Sequence, residues 1–349
     1  LSLNPFEWLV LFFYVERDEE KSEWRPYLRM LPGSFDTPVA LGIPLKPDDL
    51  PLSVRRFWMQ QAEELESIRK RFPALVDGDV DDARLLWAWH VVNTRCIFIE
   101  NPPHARVDTS RVDDTIAVVP FVDMLNHDPE AQCIAEVDKR NGKYVVRANK
   151  SAVEGSELFV CYGPHDNGRL WVEYGFRLET NPFTKVVIPT DLLLALTVKA
   201  GFPLDAPRIA AVKEADLSCT LYASDEGTGW GLRTNVRLMA MDHGELGNWR
   251  SLVYRDRPRI EDEEGEDEEE EEMDEKTRSR RIKEASMTIG ILQGLADGLQ
   301  AKMKQVHPEA ASLWSEQIAL VEQAQEKLKG EKMRLERRGL KRSGGNGRN

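Results

Sequence analysis

Three apolar runs in the middle of the chain each end in residues whose side chains could do chemistry. The three run-ends are Asn126-His127, Tyr162-Gly163 and Tyr174-Gly175-Phe176. Strands that end in polar residues and a glycine-bounded tyrosine indicate a binding or catalytic site rather than a core. Because the pKa of tyrosine is about 10, such a hydroxyl is suited to orienting and polarising a reacting group and is a poor general base.

These segments resemble the C-terminal half of a SET domain, and the likeness is closest to the Rubisco-methyltransferase-like branch of SET-domain protein lysine methyltransferases. The residues that carry it are FVDMLNHDP from Phe121 and ELFVCYGPHDNGRLWVEYGF from Glu157. That branch transfers methyl groups from S-adenosylmethionine to side-chain nitrogens. The resemblance implies an α+β fold, in which SET-type short strands with a helical insert precede an all-α C-terminal lobe that binds the substrate.

Methyl transfer to an amine is an in-line displacement at a sulfonium cation, with the reacting atoms held roughly 3–3.5 Å apart. The amine must be neutral, so a lysine with a pKa of about 10.4 needs help to lose its proton. Desolvation and the adjacent sulfonium charge both favour that loss. The resemblance makes Tyr162 and Tyr174 the candidate catalytic residues. Tyr162 positions the acceptor and polarises the site while the proton leaves through water, and Tyr174 lines the lysine channel.

The resemblance also implies which residues hold the methyl donor. These candidate cofactor-binding residues are Arg95, Leu125, Asn126, His127, Tyr162 and Phe176. The guanidinium of Arg95 is suited to bidentate binding of a carboxylate, and Phe176 supports the adenine end. Asp123 and Tyr174 are the candidate substrate-binding residues, and a structural role for Asp123 stays open.

Apolar residues at helical spacing predict helices at 5–18, 53–73 and 82–95, which correspond to a helical insert at about 5–95. Short apolar or alternating runs predict strands at 116–121, 133–137, 144–148, 157–161 and 184–188. Asn141-Gly142 predicts a type I′ hairpin turn. Helical patterns return at 192–199, 229–242, 280–306 and 309–338.

We therefore predict a SET domain at 1–180, a helical substrate-binding domain at 181–340 with an acidic disordered loop at 261–275, and a flexible basic tail at 341–349. The glycine-rich strand that opens the family's SET domain is not found near Leu1, so we expect an incomplete N-terminal part. Residues 227–232, GTGWGL, resemble that strand but lie in the helical region, where we predict a turn into a helix. His165 and Asp166 are predicted to be a solvated loop pair.

The net charge of −13 is a local property, because 13 of the 15 residues in 261–275 are acidic and the rest of the chain has 47 acidic and 47 basic residues. The four cysteines form no CxxC pair and no zinc-site spacing, so we expect no metal and a reducing compartment. No apolar run reaches the length of a membrane span, so no membrane partner is expected. We expect an intracellular location, in the cytoplasm or the nucleus.

The predicted function is S-adenosylmethionine-dependent methylation of a lysine in a protein substrate, such as a histone or another basic protein. Direct binding of nucleic acid is not expected. Two alternatives stay open: methylation of a protein histidine by the same core, and a non-catalytic SET-like binding protein. In the second, the helical lobe and the acidic run would attract basic tails.

Overall fold

The computed structural model describes residues 3–76, 78–99, 115–138, 140–224, 228–255 and 273–345. The chain divides into an N-terminal unit, Leu1–Leu50 with Val54–Asn181, and a C-terminal unit, Pro51–Ser53 with Pro182–Asn349. Helices dominate and the strands are short, so the predicted α+β class is confirmed. None of the described helices is long and apolar enough to cross a lipid bilayer.

The N-terminal unit begins with helices that pack around a core rich in aromatic rings. They are α1 (Pro5–Glu16), α2 (Arg25–Leu28), α3 (Leu52–Arg71) and α4 (Asp82–Arg95). A capping box between Asn4 and Glu7 begins α1, and the Asp81 carboxylate accepts from two backbone N–H groups to begin α4. Each cap satisfies donors that the first helical turn leaves unpaired. The core side chains include Val10, Phe13, Leu65, Phe72, Leu85 and Trp89.

The strands of the N-terminal unit form two sheets in the part of the chain that the structure describes. In the first sheet, β1 (Cys96–Phe98) and β2 (Ile116–Val118) are antiparallel. In the second, β3 (Asn126–His127), β4 (Cys133–Asp138), β5 (Lys143–Ala148) and β6 (Phe159–Val160) are arranged in the order β3-β6-β4-β5. The pairs β3–β6 and β4–β6 are parallel, and β4–β5 is antiparallel. A 3-10 turn at Val122–Met124 precedes β3, and a short helix, α5 (Asn167–Arg169), continues as a π-helical turn at Leu170–Tyr174.

The hairpin between β4 and β5 differs from the predicted two-residue type I′ turn. Asp138 pairs with Lys143, so the loop has four residues, and the N–H groups of Asn141 and Gly142 both bond to the carbonyl of Asp138. Gly142 has φ +67°, whereas Asn141 does not have a positive φ. A type I′ turn needs positive φ at both central residues, so the type I′ prediction is wrong.

The C-terminal unit is helical, as predicted, and also contains two strands. Its helices are α6 (Thr190–Lys199), α7 (Ala206–Ala215), α8 (Trp230–Ala240), α9 (His243–Leu246), α10 (Trp249–Arg255), α11 (Glu275–Met303) and α12 (Ala311–Gly345). An antiparallel pair, β7 (Lys185–Ile188) and β8 (Cys219–Tyr222), lies beside them, so the lobe is not all-α. The sequence pattern had shown the first of these strands but not its partner.

Of the segment 227–232, the described residues 228–232 lead into α8, as predicted, with Gly229 at the N-cap. A Cβ atom at Gly231 would lie 2.0 Å from the carbonyl oxygen of Ser218, so this glycine allows the start of α8 to approach the chain before β8. Helix α12 runs through Gly345, beyond the start of the tail that we predicted to be flexible. Residues 261–272 and 346–349 lie outside the described residues.

Candidate active site

The short pair of strands β3 and β6 brings two of the predicted site segments together. Asn126 lies opposite Phe159 and His127 lies opposite Val160 in parallel register. Tyr162 follows two residues after Val160, so the end of β6 places the tyrosine beside the Asn-His pair. The sequence motifs 35 residues apart therefore form one local structure.

Tyr162 is anchored to this structure at both its backbone and its hydroxyl. Its N–H donates to Nδ1 of His127 at 3.0 Å, and its O–H donates to the carbonyl oxygen of Leu125 at 2.7 Å. Burial raises the pKa of Tyr162, with Asp123 and Glu157 adding to the effect and Arg95 opposing it. The hydroxyl therefore stays protonated at neutral pH, which suits an orienting group and not a base.

The imidazole of His127 is neutral. It is 7% exposed, and burial lowers its pKa although Asp128 and the carbonyl of Val160 act in the other direction. Because Nδ1 accepts a hydrogen bond, the single ring proton is carried by Nε2. A proton added to Nδ1 would remove the acceptor that holds the backbone of Tyr162.

Four aromatic rings, including that of Tyr162, lie close to one another and form what we call the ring cluster: His127, Tyr162, Tyr174 and Phe176. Ring centroids are 5.2 Å apart for His127–Tyr162, 5.0 Å for Tyr162–Tyr174, 6.0 Å for His127–Phe176 and 6.2 Å for Tyr174–Phe176. Burial and Glu173 raise the pKa of Tyr174, so this hydroxyl is also protonated at neutral pH. Aromatic faces attract cations, so the cluster suits a positively charged group.

Tyr174 and Phe176 are held by a close approach at the glycine between them. Gly175 has φ +87°, and a Cβ atom there would lie 2.8 Å from the carbonyl carbon of Asp36 and 2.9 Å from the nitrogen of Thr37. The Thr37 hydroxyl donates to Nε2 of the buried His90 at 2.6 Å, because Nδ1 of His90 donates to the carbonyl of Leu86. No sequence pattern indicates this contact, because residues 36–37 lie in a loop far from the motifs.

Buried polar side chains fasten the chain on either side of the ring cluster. Asn167 exchanges two hydrogen bonds with the backbone of Leu178, at 2.8 and 3.0 Å. Asn181 donates to the carbonyl of His165 at 3.0 Å. Glu173, beside Tyr174, forms an ion pair with Arg169 at 2.7 Å. These contacts fix the segment from 165 to 181 without using the ring cluster itself.

The prediction of a solvated His165-Asp166 pair is wrong. Asp166 is 6% exposed and accepts from the N–H of Arg169, so it caps α5. The His165 ring stacks on Tyr174 with a centroid distance of 6.2 Å, and its Nε2 lies 2.8 Å from where a Cβ atom of Gly163 would be. Histidine in a polar loop is usually exposed, and the stacking partner that leaves this one half-buried cannot be seen from local sequence.

Arg95 and Asp123 lie together, with a third residue that the sequence did not indicate. Nη1 of Arg95 donates to the carbonyl of Asp123 at 2.8 Å and lies 3.9 Å from its Oδ2. The Tyr27 hydroxyl donates to the same Oδ2 at 2.7 Å. The side chain of Asp123 is 1% exposed, so its contacts are with Tyr27 and Arg95, and its contact with a substrate stays a prediction.

Asn126 is exposed, and its amide donates to the Glu157 carboxylate at 2.6 Å. The structure therefore places all the predicted site residues in one region of the N-terminal unit. Direct contacts link Asn126 and His127 to β6 and its flanking residues, and Arg95 to Asp123. The roles that we assigned to these residues stay predictions. Among the described residues, no group of three or more His, Cys, Asp or Glu side chains could hold a metal ion.

Comparison with known proteins identifies the family. Residues 9–163 match the family model described as SET domain. The chain is 27% identical over 336 residues to SET domain-containing protein 4 of Homo sapiens, covering 93% of this chain and 74% of that protein. Residues 9–163 therefore correspond to a SET domain, and the predicted resemblance to this family is confirmed.

Two further relatives and one solved structure are similar to this chain. Ribosomal lysine N-methyltransferase set11 of Schizosaccharomyces pombe is 35% identical over 103 residues, which is 30% of this chain and 25% of that protein. The actin-histidine N-methyltransferase of Xenopus tropicalis is 24% identical over 249 residues, covering 62% and 39%. The structure of Rubisco LSMT bound to AdoMet has a TM-score of 0.49 and 16% identity, covering 96% of this chain and 77% of that one.

The donor set of the site fits S-adenosylmethionine. The methyl donor has a carboxylate, an adenine ring and a sulfonium cation. The guanidinium of Arg95 has five N–H donors in one plane, a geometry that fits a carboxylate, and its Nη1 contacts Asp123 and Met124. The ring cluster offers faces to the cation and to the adenine, and Leu125 and Asn126 offer a carbonyl and an amide. These residues would hold the donor, and the donor would supply the methyl group.

Proposed function

We propose that this chain transfers a methyl group from S-adenosylmethionine to a lysine side-chain nitrogen of a protein. The observation that carries the proposal is the hydroxyl of Tyr162, which donates to the carbonyl of Leu125 and whose ring lies in the ring cluster. Because the proton of this hydroxyl is donated to Leu125, its oxygen can accept an N–H of an incoming amine and so orient the lone pair of that amine. The match to the SET domain supports this use of the tyrosine.

Desolvation at the site and the charge of the methyl donor favour the neutral, nucleophilic form of lysine. An amine that enters a buried site loses hydration, which favours the neutral form, and the positive charge of the donor sulfonium acts in the same direction. Neither tyrosine can take the lysine proton at neutral pH, because burial raises the pKa of both. The proton therefore leaves to water before attack, and the protein contributes orientation and desolvation.

A basic protein is the substrate class that we favour. A relative in Schizosaccharomyces pombe is named a ribosomal lysine methyltransferase, and ribosomal proteins and histones are both rich in lysine and arginine. The net charge of −13 would speed the approach of such a partner. We further propose an intracellular site of action, in the cytoplasm or the nucleus, because Cys96, Cys133, Cys161 and Cys219 are free.

Methylation of histidine is the second candidate, and the actin-histidine relative is the observation that favours it. The two functions share the methyl donor and the orienting hydroxyl, and they differ only in the nitrogen that enters the site. Identification of the methylated amino acid therefore separates them.

The test is transfer of labelled methyl from S-adenosylmethionine to separate pools of ribosomal proteins, histones and actin, followed by hydrolysis and amino-acid analysis. We expect methyl-lysine in the ribosomal or histone pool. The control is Tyr144→Phe, which changes a tyrosine on β5 outside the ring cluster and should leave the label unchanged. Methyl-histidine would move the assignment to the second candidate, and absence of label from every pool would refute both.

A further inference from the structure

Tyr27 reaches a predicted site residue from a distant part of the sequence. It lies in α2, in the N-terminal unit, and its hydroxyl donates to Oδ2 of Asp123 at 2.7 Å across 96 residues of chain. The acceptor is a buried carboxylate. A buried carboxylate needs hydrogen-bond donors, and loss of one leaves an uncompensated charge.

The turn that contains Asp123 connects directly to the hydroxyl of Tyr162. Asp123 is in the 3-10 turn Val122–Met124, and the next residue, Leu125, supplies the carbonyl that accepts from Tyr162. The turn is preceded by Phe121, whose backbone φ is +74°. Residues other than glycine rarely adopt this conformation. Such strain persists only where the surroundings hold it.

Two groups hold this turn from outside. Arg95 donates to its backbone at the carbonyl of Asp123, and Tyr27 donates to its side chain at Oδ2. We propose that Tyr27 is a positioning residue for methyl transfer, because it fixes the 122–125 turn through Asp123 and thereby the carbonyl that orients Tyr162. This inference rests on the proposed function.

The charge of Asp123 provides a readout that a purely structural hydroxyl would not change. Burial raises the pKa of Asp123, and the Tyr27 hydrogen bond and Arg95 lower it. Among the described residues, the other titratable groups that face it are Cys96, the first residue of β1, and Tyr162. Burial and Asp123 raise the pKa of the Cys96 thiol, so that group stays neutral. Removing the Tyr27 hydroxyl therefore raises the pKa of Asp123 further. A rate that needs the ionised carboxylate then starts to fall at a higher pH as the solution is made more acidic.

The experiment compares the full-length wild type with Tyr27→Phe by the initial rate of labelled methyl transfer to ribosomal proteins at saturating S-adenosylmethionine, from pH 5.5 to 9. We expect the rate at pH 7 to fall about tenfold and the acid side of the profile to move to higher pH. The affinity for the methyl donor should change little. A wild-type rate and profile in Tyr27→Phe would overturn the proposal.

Tyr14→Phe is the matched control. It removes a hydroxyl that accepts from the N–H of Asp81 at 3.0 Å in the same unit, away from the ring cluster. We expect its rate and pH profile to match the wild type. If Tyr14→Phe moves the acid limb as much as Tyr27→Phe does, the effect is general to this unit and the proposal fails.

Asp123→Asn tests the pair if Tyr27→Phe does not fold. The asparagine keeps an acceptor oxygen for Tyr27 and removes the titration, so the acid limb that Asp123 sets should disappear, and a wild-type acid limb would overturn the proposal. If Tyr27→Phe does fold, unfolding free energies of wild type, Tyr27→Phe, Asp123→Ala and the double variant separate this failure from failure of the proposed function, because Asp123→Ala removes the acceptor. If the wild type is inactive and the unfolding free energies of the two substitutions are coupled, the proposed function is refuted and the Tyr27–Asp123 contact is only structural. If the unfolding free energies are additive, the proposed interaction between Tyr27 and Asp123 is refuted.

Discussion

At the scale of single residues, two buried histidines work as neutral hydrogen-bonding groups. His127 accepts from the backbone of Tyr162, and His90 accepts from Thr37 while donating to the carbonyl of Leu86. Burial lowers the pKa of each imidazole. Both imidazoles therefore stabilise the fold in their neutral form, which has one ring proton. Both also connect the ring cluster to the segments around it.

The neutral state of His90 predicts how stability depends on pH. A histidine whose pKa is lower in the folded than in the unfolded chain stabilises the folded state fully at pH values above its unfolded-state pKa of about 6.5. As the pH falls below this value, the contribution to the unfolding free energy is lost by at most about 1.4 kcal/mol per pH unit. His90→Gln should reduce the loss of unfolding free energy between pH 6.5 and 5. The measurement is urea unfolding at several pH values.

Substitution of the exposed His243 by glutamine is the control for that prediction. We expect this variant to follow the pH dependence of the wild type. If the slope for His90→Gln also equals the wild-type slope, His90 is not held neutral in the folded chain.

At the scale of elements, the site depends on loops that approach each other closely. The π-helical turn Leu170–Tyr174 ends at Gly175, whose positive φ turns the chain so that Phe176 joins the ring cluster. The loop at Asp36 and Thr37 lies directly against this glycine. The position of both aromatic side chains thus depends on a contact between segments about 140 residues apart in the chain.

Gly175→Ala should displace the ring cluster. The added Cβ atom would lie under 3 Å from two backbone atoms, in a conformation that costs a non-glycine residue about 1–3 kcal/mol. We expect a loss of unfolding free energy of at least about 2 kcal/mol and a methyl-transfer rate at least about tenfold lower. Thermal unfolding and initial rates measure the two effects.

Gly155→Ala separates crowding from backbone strain. Gly155 has φ +81° in the same unit, and a Cβ atom there would meet no atom within 4 Å. The Gly155→Ala variant should lose as much unfolding free energy as backbone strain alone costs, and it should keep the wild-type rate of methyl transfer. Equal rates for the two variants would contradict a role for the close contact at Gly175.

Local patterns predicted the helices well and the contacts between distant segments poorly. Apolar spacing gave helices at 5–18, 53–73 and 82–95, and the structure has them at Pro5–Glu16, Leu52–Arg71 and Asp82–Arg95. The turn after Asp138 could not be read from Asn141-Gly142, because its type depends on the strand register. The partners Tyr27 and Thr37 could not be found either, since no spacing or composition links them to the motifs.

At the scale of the whole molecule, the charge is concentrated in one segment. Residues 261–272 have 11 acidic side chains, and without them the net charge changes from −13 to −2. A field of this kind speeds the approach of a basic partner and is screened by salt. The site residues all lie in the N-terminal unit, so the acidic segment is separate from them in sequence.

Deletion of residues 261–272 should leave the turnover of a short, uncharged lysine peptide unchanged. With intact ribosomal proteins as acceptor, it should lower the rate at low salt and weaken the dependence of that rate on salt. The measurement is initial rate against salt concentration for both proteins. A large loss of turnover on the short peptide would show that the segment contributes to the site itself.

The decisive experiment compares wild type and Tyr162→Phe for both donor binding and methyl transfer. Calorimetry gives the affinity for S-adenosylmethionine, and a single-turnover assay gives the rate to the acceptor nitrogen. We predict affinities within about threefold of each other and a rate about 100-fold lower in the variant, because one orienting hydroxyl is lost. Equal rates in the two proteins would contradict the account.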